Sequence, residues 1–349
     1  MSIPFRTRRR LYRIGIAVTA LLLALTVFWL CWVIWLQRYV VYTDAGAKLD
    51  FSSSSYGVLG EVATPPVAQD KISIFYNEGA DAIDTSRDMA QINGYYITSD
   101  MFKNDYDNVL LQVERLSAGT AVMIEMKGPY GSFYYNSKLA DATISASTNI
   151  QQVETLVERL KSKGFYTIAR ISAFRDREFG DKHVTSGLYM LSRAGLWMDP
   201  GGMFWLDPTN STATSWISSV VLELRDMGFN EVVLDDFCFP DSNQYIFNGN
   251  KDEALINAAA TLMSACTSEN FVLSFCVDNA AFPIPDGRSR LYLRDVGASA
   301  IEMYVSQTAF EEKEIRLVFL SETGDTRYDE YSVLRSLEVA EEVEARKAG

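Results

Sequence analysis

Short apolar runs alternate with helical patterns from about residue 93 to the end of the chain. The apolar runs predict seven strands, at residues 95–98, 121–126, 166–174, 232–234, 271–277, 300–305 and 315–320. Apolar residues that repeat every three or four positions predict the helices between them, at residues 106–116, 150–163, 253–266, in a segment that ends at Gly228, and from about residue 329. One more short strand is expected at residues 71–76.

The order of these elements predicts a parallel sheet, because a strand followed by a helix returns to the sheet by a right-handed crossover. Seven strands over about 255 residues match the length of a (β/α)₈ barrel of the TIM type. The eighth strand is missing from the pattern, so the sequence predicts a barrel whose last unit is incomplete. In such a barrel the C-terminal strand ends carry the chemistry.

Two adjacent aspartates follow the apolar run at residues 232–234. A run of this kind is typical of a strand that is buried on both faces, and Asp235 and Asp236 stand at its C-terminal end. Side chains alternate along a strand, so the two carboxylates are expected to point to opposite sides unless the chain has already bent there. At least one of them is expected to be functional, since the residues that follow do not open a helix.

The N-terminal region has the pattern of a membrane anchor. Residues 14–36 contain no charge and are long enough to cross the hydrocarbon core as a helix. The charged residues before this run are all arginines, which by the positive-inside rule places the rest of the chain outside the cytoplasm. A cleaved signal peptide is the alternative, but its apolar region is usually only about 7–15 residues long and ends at a small-residue cleavage site.

The sequence therefore predicts a single-pass protein of the cell membrane with four segments. These are a basic cytoplasmic tail at residues 1–13, a transmembrane anchor at 14–36, an extracytoplasmic spacer at 37–69 and a barrel domain at 70–349. The spacer contains Ser, Gly and Pro clusters and no core-forming pattern.

Composition excludes several classes of function. The net charge is −13 and all 45 acidic residues follow the apolar run, which argues against a nucleic-acid partner. The four cysteines show no metal spacing and His183 is the one histidine, so neither a metal nor a cofactor is predicted. A metal-dependent hydrolase, such as a deacetylase, is therefore the weakest of the alternatives.

Carboxylates, cations and aromatic residues gather at the predicted strand ends, namely Glu125, Lys127, Arg170, Asp235, Asp236, Asp278, Glu302 and Tyr304. Glu125 and Lys127 are two residues apart and are expected to form a salt bridge in the barrel mouth. Glycoside hydrolysis needs one carboxyl group that protonates the leaving oxygen and another that acts as nucleophile or activates water. Trp197, Trp205 and Tyr189, in the long segment after the third strand, are expected to stack on sugar rings.

Several short motifs resemble a known family. They are Tyr-Thr-Ile-Ala-Arg-Ile at 166–171, Phe-Arg-Asp at 174–176, Lys-His at 182–183, Gly-Leu-Trp at 195–197, Trp-Leu-Asp-Pro at 205–208, Val-Leu-Asp at 233–235 and Phe-Pro at 239–240. Together they resemble the "putative glycoside hydrolase" family, which was formerly a domain of unknown function. The resemblance covers residues 94–305, and its most specific part is 166–240.

The resemblance implies a TIM barrel that is distantly similar to the alpha-amylase-like glycosidases and is often attached to a bacterial cell surface. It places Asp235 on the acid of the family's fourth-strand motif and Asp278 on an acid after the fifth strand. Glu125 falls on the first position of a second-strand Asp-x-Lys pattern, so it departs from the family there. Asp236 replaces an aromatic residue, and Cys238 replaces a basic one.

Two functions from different classes follow. The first is a membrane-anchored glycosidase that acts on cell-wall glycan or another polysaccharide, with Asp235 as nucleophile or base and Asp278 or Glu302 as acid. Glu125 is a further catalytic candidate, and the candidates for substrate binding are Lys127, Arg170, Asp236, Trp197, Trp205 and Tyr304. The second is a catalytically inactive barrel that binds glycans or partner proteins at the cell surface.

Overall fold

The structure is a computed structural model that describes residues 25, 26, 29, 40–43, 46–49, 89–266 and 268–348. The chain divides into two compact units, Met1–Asn77 and Glu78–Gly349. In the first unit, strands Val40–Thr43 and Gly46–Leu49 pair antiparallel. Most of the predicted anchor, and all of the predicted strand at 71–76, lie outside the described residues. Among the helices that are described, none has the length and apolar character needed to cross a membrane.

Eight parallel strands close into a barrel in the second unit. In chain order they are β1 Asn93–Ile97, β2 Ala121–Lys127, β3 Tyr166–Ser172, β4 Glu231–Asp235, β5 Val272–Cys276, β6 Leu291–Leu293, β7 Leu317–Ser321 and β8 Ser332–Ser336. Each strand pairs with the next, and β8 pairs with β1. The predicted (β/α)₈ barrel is therefore confirmed, and it has all eight strands.

Helices form most of the connections between the barrel strands. They are α1 Ser99–Asn104, α2 Tyr106–Arg115, α3 Ile150–Ser162, α4 Arg177–Lys182, α5 Ser211–Asp226, α6 Lys251–Cys266, α7 Ile301–Gln307, α8 Lys313–Arg316 and α9 Ala340–Ala348. Local sequence sets their bounds. Asn210 caps the N-terminus of α5 by accepting hydrogen bonds from two backbone N–H groups, and Gly228 follows the helix with a φ of 91°.

The loops at the C-terminal end of the barrel contain short strands. Ser132–Phe133 extends the edge of β2 and pairs with Thr143–Ile144, and Tyr189–Met190 pairs with Tyr245–Ile246. The second pairing joins the loops that follow β3 and β4, whereas the first lies within the loop that follows β2.

Side-chain alternation divides the core into two layers. Val232 and Leu234 pack outward against the helices, whereas Val233 between them belongs to a separate cluster inside the barrel. Met123, Ile168, Tyr292 and other interior residues complete this inner cluster. Because β4 keeps this alternation, Glu231 and Asp235 both face the interior, one at each end of the strand.

A buried ion pair fills the N-terminal end of the barrel. Arg290, just before β6, pairs with Glu231, and both side chains are almost fully buried. The remaining lone pairs of Glu231 accept hydrogen bonds from Tyr292, Tyr166 and Ser274, at 2.8, 2.9 and 2.6 Å. Arg290 also donates to the carbonyl groups of Ala90 and Ile315, which lie before β1 and β7. This network joins residues in or next to six of the strands at the N-terminal end of the barrel.

Three predictions for the last third of the chain are wrong. The segment predicted as a strand at 300–305 is helix α7, because Ile301, Tyr304 and Val305 have helical spacing and pack against the core. The predicted closing helix from about residue 329 begins only at residue 340, and β8 precedes it. The sequence pattern also missed β6. Both missed strands hold or adjoin arginines, and tertiary partners bury Arg335 and Arg290.

We predict that Glu231→Gln destabilises the barrel by about 3–5 kcal/mol, because it leaves the Arg290 guanidinium buried without a counter-ion. Urea unfolding measures this loss. The control is Glu114→Gln, which removes the exposed partner of Arg159 and should cost less than about 1 kcal/mol. Equal and small losses in the two variants would show that the buried pair does not hold the barrel closed.

Candidate active site

A polar cavity of about 430 Å³ opens at the C-terminal end of the barrel. Its walls come from the ends of β1, β2, β3, β4 and β6 and from the loops that follow them, through Thr98, Ser99, Asp100, Lys103, Glu125, Lys127, Pro129, Tyr130, Tyr134, Arg170, Ser172, Arg175, Asp235, Asp236 and Arg294. The position is the one at which barrel enzymes hold their catalytic groups. Of the sequence-predicted site residues, the cavity brings together Glu125, Lys127, Arg170, Asp235 and Asp236.

Asp235 is held between two arginines. Arg170 donates from Nε to Asp235 Oδ2 at 2.7 Å and also from Nη2, while Arg294 Nη1 lies 3.0 Å from Asp235 Oδ1. Burial acts to raise the pKa of Asp235, but the charges of Arg170 and Arg294 and the hydrogen bonds outweigh it, so the pKa is lowered. Asp235 is therefore a carboxylate that stays ionised.

Asp236 faces the same cavity as Asp235, so the chain has bent at the strand end and the two aspartates do not point to opposite sides. Its φ of 50° is left-handed, which ends the strand and breaks the alternation at this residue. Ser172 Oγ donates to Asp236 Oδ2 at 2.7 Å, and Arg294 Nη1 lies 3.7 Å from Oδ1. Burial, and then the charge of Asp235, raise the pKa of Asp236. The two neighbouring carboxyl groups thus have pKa values shifted in opposite directions.

Glu125 and Lys127 do not form the predicted salt bridge. A bulge in the pairing of β2 with β3 falls between them, and a bulge changes the direction of the side chains that follow. Lys127 Nζ lies 2.8 Å from Asp176 Oδ2 and donates to the carbonyl of Ser172 at 2.8 Å. Glu125 instead accepts a hydrogen bond from the backbone N–H of Ser99 at 2.8 Å. Lys127 is therefore held in a buried ion pair within the cavity wall.

Arg294 is the main site residue that sequence reasoning missed. It directly follows β6, and it contacts Asp235, Asp236 and, at 3.6 Å, Asp278. The signal was present, since Arg290, Tyr292 and Arg294 alternate as a strand face does. It was hidden because β6 is only three residues long.

The other predicted catalytic residues lie outside the cavity. Asp278 stands near its rim beside Arg294, with a side chain that is 73% exposed. Glu302 is exposed in the first turn of α7, so its placement at a strand end is wrong. After burial, Glu302 is one of the charges that raise the pKa of Tyr331, which directly precedes β8 at the N-terminal side of the barrel. Tyr304 is also on α7, where it is half-buried against the core.

The predicted stacking residues are packed into the protein. Trp205 is buried and donates from Nε1 to Asp199 at 3.1 Å. Trp197 is half-buried, with its ring 5.5 Å from that of Tyr245. Neither lines the cavity. Their aromatic faces are used for packing in the loops, so the expectation that they stack on sugar is not supported by their positions.

Metal ligands do not gather in the part of the chain that the structure describes. No group of three or more His, Cys, Asp or Glu residues there is placed to hold a metal ion. In the cavity, the positions around Asp235 and Asp236 that a cation would occupy are taken by the guanidinium groups of Arg170 and Arg294.

Residues 94–276 match the model of a family described as "Putative glycosyl hydrolase domain", and this span is more than half of the chain. The chain belongs to this family. The match runs from β1 to the end of β5 and includes Glu125, Arg170 and Asp235. The resemblance inferred from the short motifs is thereby confirmed. No curated protein matches the chain.

Solved structures are also similar to this one. The glycoside hydrolase domain of PgaB (BpsB) from Bordetella bronchiseptica has 12% identity and a TM-score of 0.50, over 67% of this chain and 85% of that domain. A hypothetical protein from Ruminiclostridium thermocellum has 20% identity and a TM-score of 0.46, over 52% and 96% of the two chains. The alpha-galactosidase from Lactobacillus brevis has 10% identity and a TM-score of 0.49, over 74% of this chain and 40% of that one. The likeness to the PgaB domain supports the fold alone.

We predict that Arg294→Met destabilises the protein most near neutral pH. The lowered pKa of Asp235 gives a stabilisation that is present above the unfolded pKa of about 3.9 and is lost as the pH falls through the folded pKa. Removing the cation raises that pKa and reduces the stabilisation. Thermal unfolding between about pH 3 and pH 8 measures the difference from wild type, which should shrink in acid.

Arg294→Lys is the matched control, because it keeps the charge and should retain most of the neutral-pH stability. A loss in Arg294→Met that is the same at every pH would assign the effect to packing and would contradict the electrostatic account.

Proposed function

We propose that the chain is a glycoside hydrolase that acts on a polysaccharide through Asp235 and Asp236. The observation that carries this proposal is the pair of carboxyl groups at the end of β4, whose pKa values are shifted in opposite directions within one cavity. Two carboxyl groups with separated pKa values are what acid–base hydrolysis of a glycosidic bond requires. Membership of the family supports the same chemistry.

In the proposed reaction Asp236 is the proton donor and Asp235 the ionised partner. Asp236, whose raised pKa makes it the better proton donor of the two, gives its proton to the glycosidic oxygen as the bond to the anomeric carbon breaks. Asp235 attacks that carbon and forms a glycosyl ester. Asp236 then takes a proton from water, which attacks the anomeric carbon, breaks its bond to Asp235 and releases Asp235 as a carboxylate.

The spacing of the two carboxyl groups lies below most of the range of inverting enzymes and is compatible with retention of configuration. One nitrogen of Arg294 lies 3.0 Å from Asp235 Oδ1 and 3.7 Å from Asp236 Oδ1, so these oxygens are at most about 7 Å apart. Retaining enzymes have carboxyl groups about 5–5.5 Å apart, whereas inverting enzymes need about 6.5–9.5 Å. The exposed Asp278 and the remote Glu302 are less suited to the role of acid.

A second candidate function is a glycan-binding barrel without catalysis. It is favoured by the contacts of Asp235, since both of its oxygens face arginines and Oδ1 is buried. Such an arrangement is also that of a purely structural ion pair. The two candidates differ in whether replacing Asp235 abolishes turnover or only stability.

We predict that Asp235→Asn and Asp236→Asn each lower kcat by several orders of magnitude on any glycan that the wild type hydrolyses. Asp236→Asn should also remove the loss of activity at high pH, which reports deprotonation of the acid. Reducing-end release from a panel of polysaccharides measures both effects. Asp278→Asn is the control, and it should change kcat little.

Undiminished turnover in Asp235→Asn would remove this residue from the mechanism. Glycan binding without release of reducing ends, in the wild type and in all three variants, would favour the non-catalytic barrel.

We further propose that the barrel is held outside the cytoplasm by an uncleaved signal-anchor. The support is the uncharged run at residues 14–36, the arginines before it, and the spacer at 37–69 that separates it from the barrel at 70–349. The substrate would then be a cell-wall or other surface glycan of a bacterium.

We predict that protease added to intact cells degrades the C-terminal part of the chain, because the positive-inside rule places it outside. Immunoblotting with an antibody against the barrel follows the digestion, and a cytoplasmic protein serves as the control for lysis. Protection of the barrel in intact cells, lost only on lysis, would reverse the proposed orientation.

A further inference from the structure

Tyr130 is an exposed aromatic residue at the mouth of the cavity. Its side chain is 54% exposed, and every other aromatic side chain between residues 89 and 348 is buried or half-buried. It lines the same cavity as Asp235 and Asp236. An apolar ring left in water next to a polar site has a hydration cost that a ligand can relieve.

The turn that carries Tyr130 is rigid. The carbonyl groups of Pro129 and Tyr130 accept hydrogen bonds from the backbone N–H groups of Arg177 and Glu178, at the start of α4, at 3.2 and 3.1 Å. Gly131 has a φ of 82°, and a Cβ there would lie 2.3 Å from Asp176 Oδ1. The turn is thus packed directly on Asp176, the buried partner of Lys127.

This rigidity matters for binding, because a ring that is already fixed loses little conformational entropy when a ligand covers it. The carbonyl contacts fix the backbone of the turn, and the ring has only two side-chain torsions. Trp197 and Trp205, in contrast, are packed away from the cavity.

We propose that Tyr130 is the stacking platform of a sugar subsite at the entrance of the cavity. This inference rests on the proposed function and deepens it. The ligand is a pyranose of the substrate glycan that offers a face of C–H groups to the ring, as sugars with equatorial hydroxyls do. Asp100 and Lys103 line the same cavity and supply an acceptor and a donor for hydroxyl groups at the edge of that sugar.

Calorimetric titration of the full chain, held in a sugar-free detergent, tests the platform. The probes are the β-1,4-linked pentasaccharides of glucose, N-acetylglucosamine and galactose. The wild type should bind at least one of them, and Tyr130→Ala should weaken that binding about tenfold. Tyr130→Phe keeps the ring and should bind like the wild type.

Leu111→Ala is the matched control, because Leu111 is 49% exposed on α2 and does not line the cavity. Its affinity should be unchanged. The midpoint of thermal unfolding should be the same in all three variants, since neither side chain is buried.

The outcomes separate the platform from the hydrolase. Equal affinity of wild type and Tyr130→Ala, or no binding of any of the three probes, overturns the platform. Hydrolysis that is independent of Tyr130 overturns the platform and leaves the hydrolase standing. Binding that depends on Tyr130, without hydrolysis of any polysaccharide, supports the platform and contradicts the hydrolase.

Discussion

Two acid–arginine pairs cross the barrel interior between β4 and β6, and the rest of the structure depends on them. Glu231 pairs with Arg290 at the N-terminal end, and Asp235 pairs with Arg294 at the C-terminal end. Glu231 and Asp235 are four positions apart in β4, and Arg290 and Arg294 are four positions apart on either side of β6. This spacing keeps both members of each set on the inner face of the barrel. Charges inside a barrel are costly unless each one finds a partner. The Glu231–Arg290 pair helps to close the barrel, and the Asp235–Arg294 pair lines the cavity.

The Asp235–Arg294 pair also explains how the adjacent Asp235 and Asp236 can differ in their chemistry. Asp235 is the last regular residue of β4, so it points inward to both arginines and its pKa falls. Asp236 adopts a left-handed conformation and reaches the same cavity with weaker cationic support, and its pKa rises. A non-glycine residue in that conformation is uncommon, and such residues cluster at functional sites. The strand end therefore sets the division of roles that we propose.

A third buried pair, Lys127 with Asp176, connects the cavity to its rim. Lys127 and Asp176 are almost fully buried, and Asp176 also caps α4 and accepts a hydrogen bond from Trp216. The start of α4 in turn holds the turn of Tyr130. The position of the exposed ring thus follows from a lysine that the sequence suggested as a substrate ligand. A buried pair of this kind thus helps to position a surface residue.

The sequence by itself determined the barrel class, six of the eight barrel strands (β1–β5 and β7), and the position of Asp235. Those strands have unbroken apolar runs, which can be recognised from the local sequence alone. Tertiary structure decided the rest. The strands β6 and β8 hold or adjoin the buried arginines Arg290 and Arg335, so their charge resembles that of a surface segment. The bulge after Glu125, the left-handed Asp236 and the exposure of Tyr130 depend on packing between elements. No local pattern encodes that packing, because strand pairing, burial and ion-pair partners exist only once the barrel is closed.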